Sequence, residues 1–211
     1  MNARPKLVLF DFDEVLVDYR RDVRCAHIAE AVGARSEEVR RALFRSGLEN
    51  RCDRGELELP DYLEALRRQY GLMVPQDVFI AARQAATRAR PEMLTLCEQV
   101  HPQAAIGVFT NNGRWLGQHL AKVAPAVSAL FARRTVTSGQ LRAAKPEPKA
   151  FLSCLQALGF SPASTLFIDD RPENVEGARA IGIDAVLFES PNQVAEVLRA
   201  RGFNLELAHA P

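Results

Sequence analysis

The chain reads as an α/β protein: a parallel sheet flanked by helices, with a block of helices inserted after the first strand. Two observations predict this. Short apolar segments of strand character recur with helical patterns between the later ones, and a long stretch near the N-terminus carries helical periodicity with no convincing strand. Strands that alternate with helices imply βαβ units and a parallel sheet.

Three stretches suit strands buried on both faces, residues 6–10, 104–109 and 165–168, because each is a short run of apolar side chains. A fourth, 185–188, follows Gly182, and a weaker one lies at 134–137. Helical patterns cover 148–158, 174–181 and 193–201. Within the inserted block, Val23, Ile28, Ala31 and Val32 mark a first helix. Ser36 is placed to cap a second, which carries Val39, Leu43 and Phe44, with Glu37 and Glu38 set against the helix dipole. Gly55 and Pro60 lead into a third helix over 60–70, Pro75 opens a fourth running toward Arg88, and Pro91 breaks the pattern. The expected division is an α/β core of residues 1–18 and 91–211 and a helical cap domain of residues 19–90, with hinges at 17–20 and 87–91.

Composition narrows the class of function. Of 211 residues 47% are apolar and 25% charged, which excludes disorder, collagen and coiled coil. The 27 basic and 26 acidic residues leave a net charge of +1, so nothing favours wrapping a nucleic acid or lying on an anionic membrane. A small-molecule partner is expected. Only four of the basic residues are lysines (Lys6, Lys122, Lys145 and Lys149), which makes each worth following. The cysteines Cys25, Cys52, Cys97 and Cys154 lie 27, 45 and 57 residues apart, a spacing unlike a zinc site and consistent with packed thiols in a reducing cytoplasm. No run approaches the ~20 apolar residues of a membrane span, and the segment before Asp11 is too short for a secretion signal. A soluble, cytoplasmic protein is expected.

The chemistry concentrates at strand ends. Phe10-Asp11-Phe12-Asp13 and Ile168-Asp169-Asp170 place two acid pairs after two strands, and in a parallel sheet ligands collect at the carboxyl ends where chain order reverses. A single such Asp is commonly a turn former; two pairs in phase are not. Four carboxylates in one crevice repel, which a raised pKa or a hard divalent cation relieves, and oxygen-only ligands suit Mg²⁺. Thr110-Asn111-Asn112-Gly113 ends another strand with a hydroxyl, amides and backbone N–H groups suited to phosphoryl oxygens. Lys145, in Ala144-Lys145-Pro146-Glu147-Pro148, sits on a stiffened loop where a fixed positive charge can face carboxylates and phosphate; Lys149 reads as solvated.

Taken in order, these motifs resemble those of the haloacid dehalogenase-like (HAD) superfamily, in the subgroup with a small helical cap after the first strand of a Rossmann-like core. Asp11 through Val15 resembles the first motif, Thr110-Asn111 the second, Lys145-Pro146-Glu147-Pro148 the third, and Phe167 through Asp170 with Asn174 the fourth. The resemblance implies a Mg²⁺-dependent phosphomonoester hydrolase. Asp11 would be the nucleophile forming an aspartyl-phosphate, and Asp13 the acid and base. Mg²⁺ would be held by Asp11, the backbone carbonyl of Asp13 and Asp170, with Asp169 ordering its water ligands. Thr110 and Asn111 would bind the phosphoryl group, Lys145 would offset charge, and Asn174 would support the network.

Glu14 stands where the family often has Gly, and Val15 where Thr is more frequent. The added carboxylate either points to solvent, or restricts the substrate or favours a cationic one. Dehalogenases of the superfamily generally lack the second Asp, so Asp13 argues for phosphoryl chemistry. A phosphomutase uses the same residues and is the alternative; a receiver-like signalling module or a silent binding protein fits the motif order and its completeness less well. Arg51 and Arg54, in the segment 49–55 read as a loop between two cap helices, either reach an anionic group or are solvated. Residues 20–70 hold eleven Arg and ten acidic residues, which gives no broad basic surface. A small phosphorylated metabolite such as a sugar phosphate is the expected partner, and the sequence sets no oligomeric state.

Overall fold

A computed structural model describes residues 4–131 and 133–206. Its strands are β1 Leu7–Phe10, β2 Val17–Tyr19, β3 Thr87–Ala89, β4 Ala105–Thr110, β5 Thr135–Thr137, β6 Thr165–Asp169 and β7 Asp184–Leu187. Five of them form one parallel sheet in the order β5-β4-β1-β6-β7, and β2 pairs with β3 antiparallel. The fold is the expected α/β arrangement.

Every residue of β1 is fully buried, and its side chains alternate between two apolar layers. Val8 and Phe10 join one cluster with Val108, Ile168 and Phe131, whereas Leu7 and Leu9 join a second with Phe109, Phe151 and Phe167. Prolines start the covering helices Pro91–Val100, Pro148–Leu158, Pro172–Arg179 and Pro191–Ala200, at a position where a missing N–H costs nothing. The chain runs from β1 to β4 and β5 on one side, then crosses back to β6 and β7 on the other, so chain order reverses around β1. Pairing of Phe10 with both Val108 and Ile168 sets the ends of β1, β4 and β6 side by side.

Between β2 and β3 lie the helices Arg21–Val32, Ser36–Phe44, Leu48–Asp53, Leu59–Tyr70 and Gln76–Ala85. Gly33 and Gly71 end two of them in the left-handed conformation, at φ 68° and 69°. This insertion shares its apolar interior with one face of the sheet: Cys25, Ile28, Tyr62 and Phe79 belong to the cluster of Val8 and Phe10. Phe79 meets Trp115 edge to face at 5.1 Å between ring centroids.

Four local expectations are corrected. The stretch read as free of strands contains β3, which pairs Thr87, Arg88 and Ala89 with Tyr19, Asp18 and Val17, so the two linkers form a ribbon. Segment 49–55, read as a loop, is largely the helix Leu48–Asp53, whose face is buried through Leu48 and Cys52. Ser36 is the first helical residue and not the cap; the backbone N–H of Arg35 donates to the Glu38 carboxylate at 3.2 Å instead. The helix from Pro75 ends at Ala85, well short of Arg88. Short helices at Arg114–Gln118, Leu120–Val123 and Pro125–Phe131 were not foreseen. No helix among the described residues is long and apolar enough to cross a membrane.

The helix Pro172–Arg179 packs against the Lys145-Pro146 segment without a side chain between them. A Cβ at Gly177 would lie 2.4 Å from the Pro146 carbonyl oxygen and 2.9 Å from its Cβ. Gly177→Ala is therefore expected to cost about 1–3 kcal/mol, by forcing backbone against backbone, even though Ala is the better helix former. Urea denaturation should show a lower midpoint at an unchanged slope.

Candidate active site

Asp11 follows β1 directly, and its backbone N–H donates to the Ile168 carbonyl at 2.9 Å, which carries the ladder one residue beyond the strand. That places it beside Asp169, the last residue of β6. The Lys145 ammonium reaches the same point from its loop. Its Nζ lies 2.6 Å from Asp169 Oδ2 and 2.9 Å from Asp11 Oδ1, and donates to the Phe109 carbonyl at 2.8 Å. Asp169 Oδ2 and the Phe109 carbonyl accept hydrogen bonds from it, whereas Asp11 Oδ1 is in ion-pair contact and is buried with no hydrogen-bond partner. The rings of Phe109 and Phe167 lie 5.3 and 5.2 Å away on the inner side. Burial opposes the lysine's charge, but Asp11 and Asp169 outweigh it and raise the pKa above its ordinary value.

Two side-chain amides fix this group. Asn111 Oδ1 accepts from the Lys145 backbone N–H at 2.9 Å and its Nδ2 donates to the Lys145 carbonyl at 2.8 Å. Asn174 Nδ2 donates to Asp169 Oδ1 at 2.9 Å and Oδ2 at 3.1 Å, and the Arg171 backbone N–H adds a bond to Oδ1 at 2.9 Å. Both oxygens of the fully buried Asp169 are thus engaged. Asp170, next along, is half-buried; burial and then Asp169 raise its pKa.

Asp11, Asp169 and Asp170 each bring one carboxylate oxygen within 4.8 Å of the others. Such an all-oxygen cluster fits a hard divalent cation. Burial pushes the Asp11 carboxyl up from 3.8 to about 7; Lys145 pulls it down less strongly, and Asp169 adds to the rise.

Asp13 faces a cavity of about 430 Å³ together with Asn111, Asn112 and Lys145. Its Oδ1 accepts from Arg83 Nη2 at 2.5 Å, and its Oδ2 from Asn112 Nδ2 at 3.1 Å. Asn112 Nδ2 also donates to the buried Thr110 hydroxyl oxygen at 2.8 Å.

The insertion supplies the opposite wall through Tyr19, Phe44, Glu49, Asp53 and Arg54. Glu49 is held by Arg24 and by the Tyr62 hydroxyl, each at 2.7 Å. Ser138 Oγ donates to the Asp53 carbonyl at 2.5 Å and so joins this helix to the sheet side.

Among the residues expected from sequence, Asp11, Asp169, Asp170, Lys145, Thr110, Asn111 and Asp13 lie at the ends of β1, β4 and β6 or on the loops beside them, and Asn174 reaches Asp169 from the first turn of the helix Pro172–Arg179. Arg54 reaches the cavity and also pairs with Glu147 at 2.7 Å. Arg51 lies off the cavity wall and pairs with Glu56 at 3.4 Å. Glu14 is turned away from the cavity: its backbone is at φ 60°, its carbonyl accepts from Arg90 Nη1 at 2.5 Å, and its carboxylate lies 3.3 Å from Arg90 Nη2. Lys149 is exposed.

Sequence reasoning assigns no role to Arg24, Arg83 or Glu49, and reads Asn112 only as one amide of the segment 110–113. A signal existed for the two arginines, because Arg24 is four residues before Ile28 and Arg83 four after Phe79 on the buried stripes of their helices.

The family model of the haloacid dehalogenase-like hydrolases matches residues 5–182 of this chain. The chain belongs to the haloacid dehalogenase-like hydrolase family. A phosphatase of Mycobacterium tuberculosis is 29% identical to this family member over 90% of the chain and 89% of its own length. A predicted HAD-like family hydrolase from Porphyromonas gingivalis has the same fold at 20% identity, with a TM-score of 0.78 over 94% of this chain and 98% of its own. A HAD family enzyme from Bacteroides thetaiotaomicron, solved in complex with magnesium and inorganic phosphate, gives a TM-score of 0.74 at 21% identity over 88% of this chain and 94% of its own.

For this HAD-family hydrolase the raised pKa of Asp11 has a signed consequence. Between 3.8 and about 7 the native state keeps a proton that the unfolded chain has released, so stability falls as pH rises through that window. In chelator, Asp11→Asn is therefore expected to gain on the wild type in melting temperature from pH ~4 to pH ~7 and to hold the gain above it. Thermal scans across pH, repeated with Mg²⁺, measure it; the metal should narrow the gap.

Proposed function

We propose that this hydrolase is a Mg²⁺-dependent phosphatase of a small phosphorylated metabolite, acting through an aspartyl-phosphate on Asp11. The observation that carries the reading is the buried Lys145 ammonium shared by Asp11 and Asp169, next to a cavity that Asp13 faces. Asp11, Asp170 and the Asp13 carbonyl would hold Mg²⁺, with Asp169 in support, and the ion would neutralise charge on the transferring phosphoryl group.

In the first half-reaction an Asp11 oxygen forms a bond to phosphorus while the bond to the leaving oxygen breaks, and that oxygen takes a proton from Asp13. In the second, water gives its proton to Asp13 and attacks phosphorus, and the bond to Asp11 breaks. Asp13 therefore ends as it began. The Thr110 hydroxyl and backbone N–H groups of the following residues bind phosphoryl oxygens. The Asn111 amide is committed to Lys145, so its contribution here falls to its backbone. Lys145 keeps its proton and offsets the charge of Asp11 and of the phosphoryl group.

Residues 19–90 act as a cap over this centre and supply the substrate contacts. A cavity of about 430 Å³ suits a metabolite such as a sugar phosphate better than a macromolecule. The four buried, unpaired cysteines support a reducing compartment such as the cytoplasm. The mycobacterial relative's description as a phosphatase supports hydrolysis over phosphoryl transfer to a second hydroxyl.

Purified protein is expected to hydrolyse an aryl phosphate with Mg²⁺ and to stop in chelator. Asp11→Asn should fall to background, and Asp13→Asn should slow turnover by about 10²–10⁴-fold. Full activity in Asp11→Asn would remove the nucleophile. A panel of metabolite phosphates, scored for released phosphate and for isomerised product, separates phosphatase from phosphomutase.

A further inference from the structure

Arg83 is an expensive residue to place where it is. Its side chain is 1% exposed, and its Nε and Nη1 are buried with no hydrogen-bond partner. Burying a guanidinium with two idle donors opposes folding unless the remaining contact repays it. That contact is Nη2 on Asp13 Oδ1.

The surroundings of Arg83 are built to aim it. The guanidinium lies over the Tyr19 ring, 3.5 Å from its centroid, with the Phe12 ring 5.8 Å away on the sheet side. The Arg83 carbonyl accepts from the Thr87 hydroxyl at 2.7 Å. Tyr19 and Thr87 are register partners in the β2–β3 ribbon, so Arg83 is fixed by both strands at the root of the insertion. A flat cation stacked on a ring has its direction set by the ring, which a lysine would not reproduce.

We infer that Arg83 is a positioning residue for Asp13: it holds Oδ1 so that Oδ2, engaged by the single Asn112 contact at 3.1 Å, is the oxygen that exchanges a proton with the leaving group and with water. The inference rests on Asp13 being the acid and base of the proposed reaction. It makes the helical insertion part of the reaction centre as well as a wall of the cavity, because the residue that aims Asp13 belongs to the last helix of that insertion.

The test compares phenyl phosphate, whose leaving oxygen needs a proton, with dinitrophenyl phosphate, whose leaving oxygen does not. Release of the phenol is followed in single turnovers with Mg²⁺. Arg83→Met is expected to slow release from phenyl phosphate about tenfold or more, to slow dinitrophenyl phosphate far less, and to leave KM within about twofold. Arg83→Lys, which restores a donor without the stacking, should recover part of the loss, and it carries the same comparison if Arg83→Met does not fold. In an Asp13→Asn background Arg83→Met should add nothing to the selectivity between the two substrates, as expected of a residue that works through Asp13. Equal slowing of both substrates, or a further effect in the Asp13→Asn background, would overturn the inference and leave Asp13 in its role. Absence of leaving-group selectivity in Asp13→Asn itself would remove the acid and base reading, and this one with it.

Discussion

The rest of the molecule is arranged around one buried ammonium. Lys145 sits between Asp11 and Asp169, donates to Asp169 and to the Phe109 carbonyl, and has the rings of Phe109 and Phe167 beside it. Two carboxylates at neighbouring strand ends would repel in a low-dielectric setting, and a single positive charge makes their approach tolerable. Removing one member of such a group typically costs about 3–5 kcal/mol, because the others are left buried and uncompensated. The balance is still one cation against Asp11, Asp169 and the half-buried Asp170, so a net negative charge remains. Burial accordingly raises the Asp11 carboxyl, and the site is suited to a divalent cation.

The sheet topology explains why these groups meet. Chain order reverses at β1, so the ends of β4 and β6 flank it, and the register holds Phe10 level with Val108 and Ile168. Thr110, Asn111, Asp11, Asp13, Asp169 and Asp170 then all lie within three residues of a strand end. The loop that brings Lys145 is long by comparison, and it is fixed by the Asn111 amide on its backbone and by close contact with Gly177. Asn111 thus serves the lysine with its side chain, a division of labour invisible from its place in a Thr-Asn motif.

What the sequence made legible follows from how local each signal is. The central strands are apolar runs ending in acids, and a strand buried on both faces leaves that signature without reference to the rest of the chain. The site residues Asp11, Asp169 and Asp170 came with them. The β2–β3 ribbon was missed because it is two three-residue strands about seventy positions apart, with no periodicity long enough to register. The helix Leu48–Asp53 reads as a loop because Glu49, Asn50, Arg51 and Asp53 dominate it, and its Leu48 and Cys52 become a buried stripe only once the neighbouring helices are in place. Arg24 and Arg83 carry no individual weight in the sequence reading, Arg24 being one of eleven arginines in residues 20–70. Their positions on apolar helix faces argued otherwise.

Those two arginines share a design. Arg24 is 1% exposed, lies 4.5 Å from the Phe79 ring centroid, and spends its contacts on Glu49 and the Tyr19 hydroxyl, leaving two nitrogens without partners. Arg83 is buried to the same degree over the Tyr19 ring, and its one side-chain hydrogen bond goes to Asp13. Apolar residues of similar volume in both places would be expected to give a more stable insertion. What they would lose is direction: a guanidinium fixes the orientation of the carboxylate it meets, and here one carboxylate stands at the insertion wall of the cavity and the other at its floor. Tyr19 contacts both arginines and belongs to the ribbon through which the insertion joins the sheet. The stability given up in burying two under-partnered cations is thus converted into a fixed geometry between the two halves of the cavity.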